Sequence, residues 1–144
     1  MPSVWGMTPQ RSIELECSRR GKAAVVDGCI AILRGDAGDD SLIVALGGPA
    51  AHGVLDGREG GRGGYWPRVW AVRGLLHAWD PKAATAVVAA IDDASWRVRE
   101  MAAKVVAAHR VDAALDAVVA LKEDPVPRVR SAAERALREL TAPH

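Results

Sequence analysis

Three segments of the chain superimpose at a constant offset of 31 residues: Pro67-Arg68-Val69-Trp70-Ala71, Val98-Arg99-Glu100-Met101-Ala102 and Val129-Arg130-Ser131-Ala132-Ala133. The register extends past the motif, because Arg73, Lys104 and Arg135 align, as do Leu75, Val106 and Leu137. A fixed period of this length marks a stack of helical units, none of which can bury its apolar face alone. It excludes most mixed and all-β folds over the second half. It also bears on function, because such arrays present extended surfaces suited to binding.

Punctuation between the repeats is regular. Helices are predicted near 66–79, 81–91, 95–109, 112–122 and 126–140, with joints at Asp80-Pro81, Asp92-Asp93 and Asp124-Pro125. Asp and Ser suit helix starts because they accept from free backbone N–H groups, and Pro is tolerated in the first turn. Connections this short force successive helices to pack antiparallel. Further upstream, Ala23, Val26, Ile30 and Leu33 share one face of a predicted helix from Arg19 to Leu33. Asp39-Asp40-Ser41 can cap a short helix through Leu46, and Pro49 opens another to about Leu55. The segment 56–64 has five glycines in nine residues, a flexible insertion loop.

In the first residues Ile13, Leu15 and Cys17 alternate with Glu14 and Glu16, and a lone strand would have no partner. Residues 1–18 are therefore expected as an N-terminal arm, and residues 19–144 as one repeat domain with an insertion at 56–64. Pro49-Ala50-Ala51 parallels Pro81-Lys82-Ala83 at an offset of 32, which brings the total to about four helical hairpins, the first a degenerate cap.

Composition narrows the classes further. Nineteen basic and 18 acidic residues give a net charge of +1, so no bulk field draws the chain to nucleic acid or a membrane. No apolar run approaches the roughly 18–20 residues needed to span a bilayer. Cys17 and Cys29 form no C-x-x-C pair and suit a reducing compartment. With no signal-peptide pattern at the start, a cytoplasmic protein is expected.

The segments Asp93-x4-Val98-Arg99-x2-Ala102 and Asp124-x4-Val129-Arg130-x2-Ala133 resemble HEAT repeats, in the short HEAT-like form first associated with phycobilisome lyases. The resemblance covers about 49–140. It implies an all-α fold, a right-handed α-solenoid of about four HEAT-like hairpins. It also implies that the Val-Arg-x-x-Ala helices line the inner, concave side. The inter-repeat ladder it implies would use Asp93, Arg99, Asp124 and Arg130, with Arg68 as a third arginine. Arg62 and Pro67 depart from the pattern, standing where Asp and Val are expected. Members of the family are mostly scaffolds and adaptors, with a minority of enzymes.

On a helical wheel Val98, Ala102, Val105 and His109 form the core side of the 95–109 helix, flanked by Met101 and Val106. Trp96, Glu100, Ala103 and Ala107 face the other way, beside Arg97 and Lys104. Their equivalents in the last helix are Pro127, Ser131, Glu134 and Arg138, beside Arg128 and Arg135. In the 66–79 helix they are Tyr65, Val69, Val72 and Leu76, beside Trp66 and Arg73. That last stripe is apolar where solvent is expected. A cover is needed: the N-terminal arm with Trp5, a second copy of the chain, or a partner.

The inner helices hold ten Arg or Lys against three Glu, whereas the outer segments 80–94 and 111–125 hold two Lys against seven acids. A basic inner side can focus field on an anion, unless Arg68, Arg99 and Arg130 are consumed in the ladder. Trp70 and Trp79 fit gap-filling core positions. Trp66 and Trp96, at helix starts, either wedge repeats apart or form a stacking surface with Arg97.

Chemistry-bearing motifs are lacking. His52, His77, His109 and His144 have no ligand-like partner at i+3 or i+4, so no metal site is expected. The glycine loop lacks the Gly-Lys-Ser/Thr ending of a phosphate loop. Neither cofactor nor catalysis is expected. The expected function is a non-catalytic scaffold or adaptor that binds a protein partner through its concave face. Residues Tyr65, Trp66, Val69, Arg73, Leu76, Trp96, Arg97, Glu100, Lys104, Arg128, Arg135 and Arg138 are the candidates for that face. A homodimer through the apolar stripe would fit as well. The alternatives are nucleic-acid binding by the basic helices, which the charge balance disfavours, and a small-ligand, lyase-like chaperone using Trp66, Trp96 and Arg97.

Overall fold

A computed structural model describes residues 7–36 and 39–143. All regular elements among them are helical. By contact the chain divides into two units between Asp80 and Pro81.

The first unit contains α1 (Pro9–Arg20), α2 (Lys22–Leu33), α3 (Asp40–Gly47), α4 (Ala51–Leu55) and α5 (Trp66–His77). Helix α1 replaces the expected strand-like arm over its described part. The Thr8 hydroxyl accepts from Arg11 N at 3.1 Å, and Pro9 occupies the first turn. Its inward residues are Ser12, Ile13 and Glu16, spaced as a helix requires. Two of the three are polar, so the apolar pattern alone does not reveal the helix. Gly21, at φ 92, closes α1 and lets the chain turn directly into α2. Trp5 lies outside the described residues.

Helix α5 packs against α1, α2 and α3, while α4 packs chiefly on α3. Small residues permit close approach. A Cβ on Gly74 of α5 would stand 2.8 Å from both Cys29 Sγ and Leu46 Cδ2, and one on Gly47 would enter the Trp70 ring.

The second unit consists of two hairpins. A 3-10 turn at Pro81–Ala83 leads into α6 (Ala84–Ala90), followed by α7 (Trp96–His109). A second 3-10 turn at Asp112–Ala114 leads into α8 (Leu115–Leu121), followed by α9 (Pro127–Thr141). Helices α6 and α7 pair, α8 and α9 pair, and α7 lies along α9. The core is built of small side chains: Val98, Ala102, Val105 and Val106 from α7, Val118 from α8, and Val129, Ala133 and Ala136 from α9. Arg110 ends α7 in the left-handed region at φ 50, and its Nη2 donates to Ala142 O at 2.9 Å, tying the far ends of α7 and α9 together.

Candidate partner-binding face

The 31-residue period puts Arg97 and Arg128 at equivalent positions on α7 and α9, and likewise Lys104 and Arg135. Because α7 lies along α9, these residues gather on one side of the second unit. The Arg97 guanidinium lies 4.5 Å from the Trp96 ring centre and that of Arg128 lies 5.3 Å from it. Both contacts are cation–π distances. Arg128 Nε also donates to Glu100 Oε2 at 2.9 Å, and Lys104 Nζ stands 4.0 Å from the same oxygen. Glu100, expected as an exposed polar residue, is buried, because the Arg128 and Lys104 chains close over it. Arg135 and Arg138 are exposed, and no hydrogen bond or ion pair among the described residues engages their side chains. Five cations thus share this face with two carboxylates, Glu100, already bonded, and the exposed Glu134.

The turns entering α7 and α9 repeat one construction. Asp93 Oδ1 accepts from Ser95 N at 2.8 Å, and Asp124 Oδ1 accepts from Val126 N at 2.9 Å. The aspartates therefore brace the turn ahead of the helix rather than cap its first N–H groups. Arg99 Nε donates to Asp124 Oδ2 at 2.7 Å and Nη2 to Oδ1 at 3.3 Å, while Nη1 donates to Asp93 O at 2.9 Å. Arg130 Nη1 donates to Asp124 O at 2.8 Å. Burial would raise the Asp124 carboxyl, but hydrogen bonds from Arg99 and Val126, with the charges of Arg99 and Arg130, outweigh it and hold it below its ordinary value.

The candidates of the first unit are placed differently. Val69 and Val72 are buried in a helix whose neighbours are α1, α2 and α3, so this stripe is core, not an open face. The two residues that frame it, Tyr65 and Leu76, are half-buried. Arg73 is likewise no surface cation. It points to the end of α3, where Nη2 donates to Leu46 O at 2.8 Å, and burial lowers its pKa. Arg68 Nη1 donates to Gly64 O at 3.1 Å. Arg62, which stands where the repeat has an aspartate, is ion-paired with Asp40 of α3. Trp66 contacts Tyr65 at 5.1 Å and stacks on Trp70 at 6.1 Å. With Pro49, His52, Arg58 and Glu59 these two tryptophans line a cleft of about 490 Å³ within this unit.

One charged network escaped the sequence reading. Glu16, buried in α1, is bound by Arg19 at 3.0 Å and Arg20 at 2.9 Å, and Arg20 reaches on to Asp39, the cap of α3, at 2.9 Å. The i+3 and i+4 spacing of Glu16 to the two arginines was the available signal. No group of His, Cys, Asp and Glu among the described residues could hold a metal ion. No described helix is long and apolar enough to cross a membrane.

A family model described as HEAT repeats matches residues 65–138, just over half of the chain. No curated protein and no solved structure gives a match.

Proposed function

The chain belongs to the HEAT-repeat family, and we propose on that premise that it is a non-catalytic scaffold that holds a protein segment on the α7–α9 face. The observation that carries this reading is the row Arg97, Trp96, Arg128, Lys104, Arg135 and Arg138, displayed by two adjacent helices of equivalent sequence. Trp and Arg are among the residue types enriched at interfaces. Val69 and Val72 are buried, so the α5 stripe is left out of the face.

A photo-crosslinking residue at Ser131, exposed on α9, should capture a polypeptide in the native cell, whereas one at Asp116, exposed on α8, should not. Equal capture at both positions, or none at Ser131, would remove the support for this reading. A second reading, a small ligand, draws on the cleft beside Trp66 and Trp70. A metabolite that fills it should change tryptophan emission, and Trp66→Leu should abolish that response.

A further inference from the structure

We infer that the segment held on the α7–α9 face is acidic. The inference rests on the scaffold reading above and adds the chemistry of the partner. Arg135 and Arg138 stand one turn apart on α9, exposed, with no acid engaged to either. Glu134 and Glu139 are exposed on the same helix, yet neither is ion-paired with them. Arg128 and Lys104 extend the positive row toward Trp96, and the carboxylate inside the row, Glu100, is bonded to Arg128. Neighbouring helices lie about 8–10 Å apart, so one extended chain laid across α7 and α9 reaches cations at equivalent positions on both. A segment carrying several Asp or Glu supplies carboxylates to Arg135 and Arg138, which no acid of the chain engages among the described residues.

Size and surroundings favour a polypeptide over nucleic acid. Exposed acids stand on other elements of this unit, at Asp92, Asp112, Asp116 and Glu123. A duplex carries one charge about every 1.7 Å and extends well past so short a row, toward those acids. A short acidic segment ends where the cations end.

The test uses the full chain and a fluorescein-labelled oligoglutamate peptide, followed by anisotropy at about 0.1 M salt, where the Debye length is about 10 Å. The wild type should bind it, and added salt should weaken binding. Arg135→Glu with Arg138→Glu should weaken it at least about tenfold, while Asp116→Lys on α8 should change it less than about twofold. Both variants alter exposed residues, and retained helical circular dichroism checks their fold. Absence of binding, an equally tight oligoglutamine peptide, indifference to the double charge reversal, or tighter binding of an oligothymidylate of equal charge would each overturn the inference. Capture at Ser131 distinguishes the two claims. If a polypeptide is still captured there when oligoglutamate fails, acidity of the partner falls and the scaffold stands.

Discussion

Arg99 and Asp124 form a two-toothed pair, with Nε to Oδ2 at 2.7 Å and Nη2 to Oδ1 at 3.3 Å. The same guanidinium donates through Nη1 to the carbonyls of Asp93 and Ala94. One side chain therefore fastens the turn before α7 to the turn before α9, and the repeat period becomes a physical spacing between hairpins. Only a planar fork with several donors can serve both turns at once.

Removal of that fork should be costly, because Asp124 is 6% exposed and would keep its charge without its main partner. Arg99→Ala is expected to lower stability by about 2–4 kcal/mol, and Arg99→Lys to recover less than half of it. Urea unfolding measures both. A loss below about 1 kcal/mol for the alanine variant, typical of a surface ion pair, would mean that the pair is decorative.

Close helix packing in the first unit rests on positions without a side chain. At Gly74 a methyl group would sit 2.8 Å from Cys29 Sγ and Leu46 Cδ2, both in tightly held neighbours. In an open helix Gly→Ala gains roughly 1 kcal/mol of propensity. Here overpacking should reverse the sign, and Gly74→Ala should destabilise by about 1–3 kcal/mol. A raised melting temperature would show that α2 and α3 move apart freely.

How far the sequence was legible depends on which residues did the repeating. The 31-residue identity of the Val-Arg-x-x-Ala segments located α7 and α9 and, through family resemblance, pointed to Arg99 beside Asp124. Helix α1 was hidden because its inward side is Ser12, Ile13 and Glu16, where hydrogen bonding to Ala45 O and ion pairing replace apolar contact. The cover over the stripe on α5 stayed open between the N-terminal arm, a second copy and a partner, and α1, which lies mostly in the arm segment, packs on α5 with α2 and α3. Val69 and Val72 sit where the other inner helices are polar, and period alone cannot say that α1, α2 and α3 surround that helix. Arg73 aligns with Lys104 and Arg135, yet it turns inward to Leu46 O, a contact set by α3, which the repeat does not contain.

The burial of Val69 has a direct test. Val69 is 7% exposed, so Val69→Asp places a carboxylate in a site with no intended partner. It should destabilise by about 3–5 kcal/mol, the scale of an uncompensated buried charge. Arg135→Glu, at an exposed position, should stay within about 0.5 kcal/mol of the wild type. Thermal melts of the two variants compare them, and a folded, fully stable Val69→Asp protein would restore α5 as an open face.

Asp39 links acidity to the stability of the first unit. Its carboxylate accepts from Arg20 and from Leu42 N, and these bonds lower its pKa from 3.8 to about 2. The depressed value belongs to the folded state, so the stabilisation is fully present above pH 3.8 and is lost as pH falls through about 2. The side chain is 59% exposed, so solvent screens the pair and its worth is about 1 kcal/mol or less. In Asp39→Asn the side-chain oxygen still accepts from Leu42 N but has no charge for Arg20. The melting-temperature gap between wild type and variant should therefore hold from neutral pH down to about 4, narrow below it, and close near pH 2. Asp124 titrates in the same direction in both proteins and cancels from the difference. A gap that persists unchanged at pH 2 would assign the contribution to cap geometry instead of to the ion pair with Arg20.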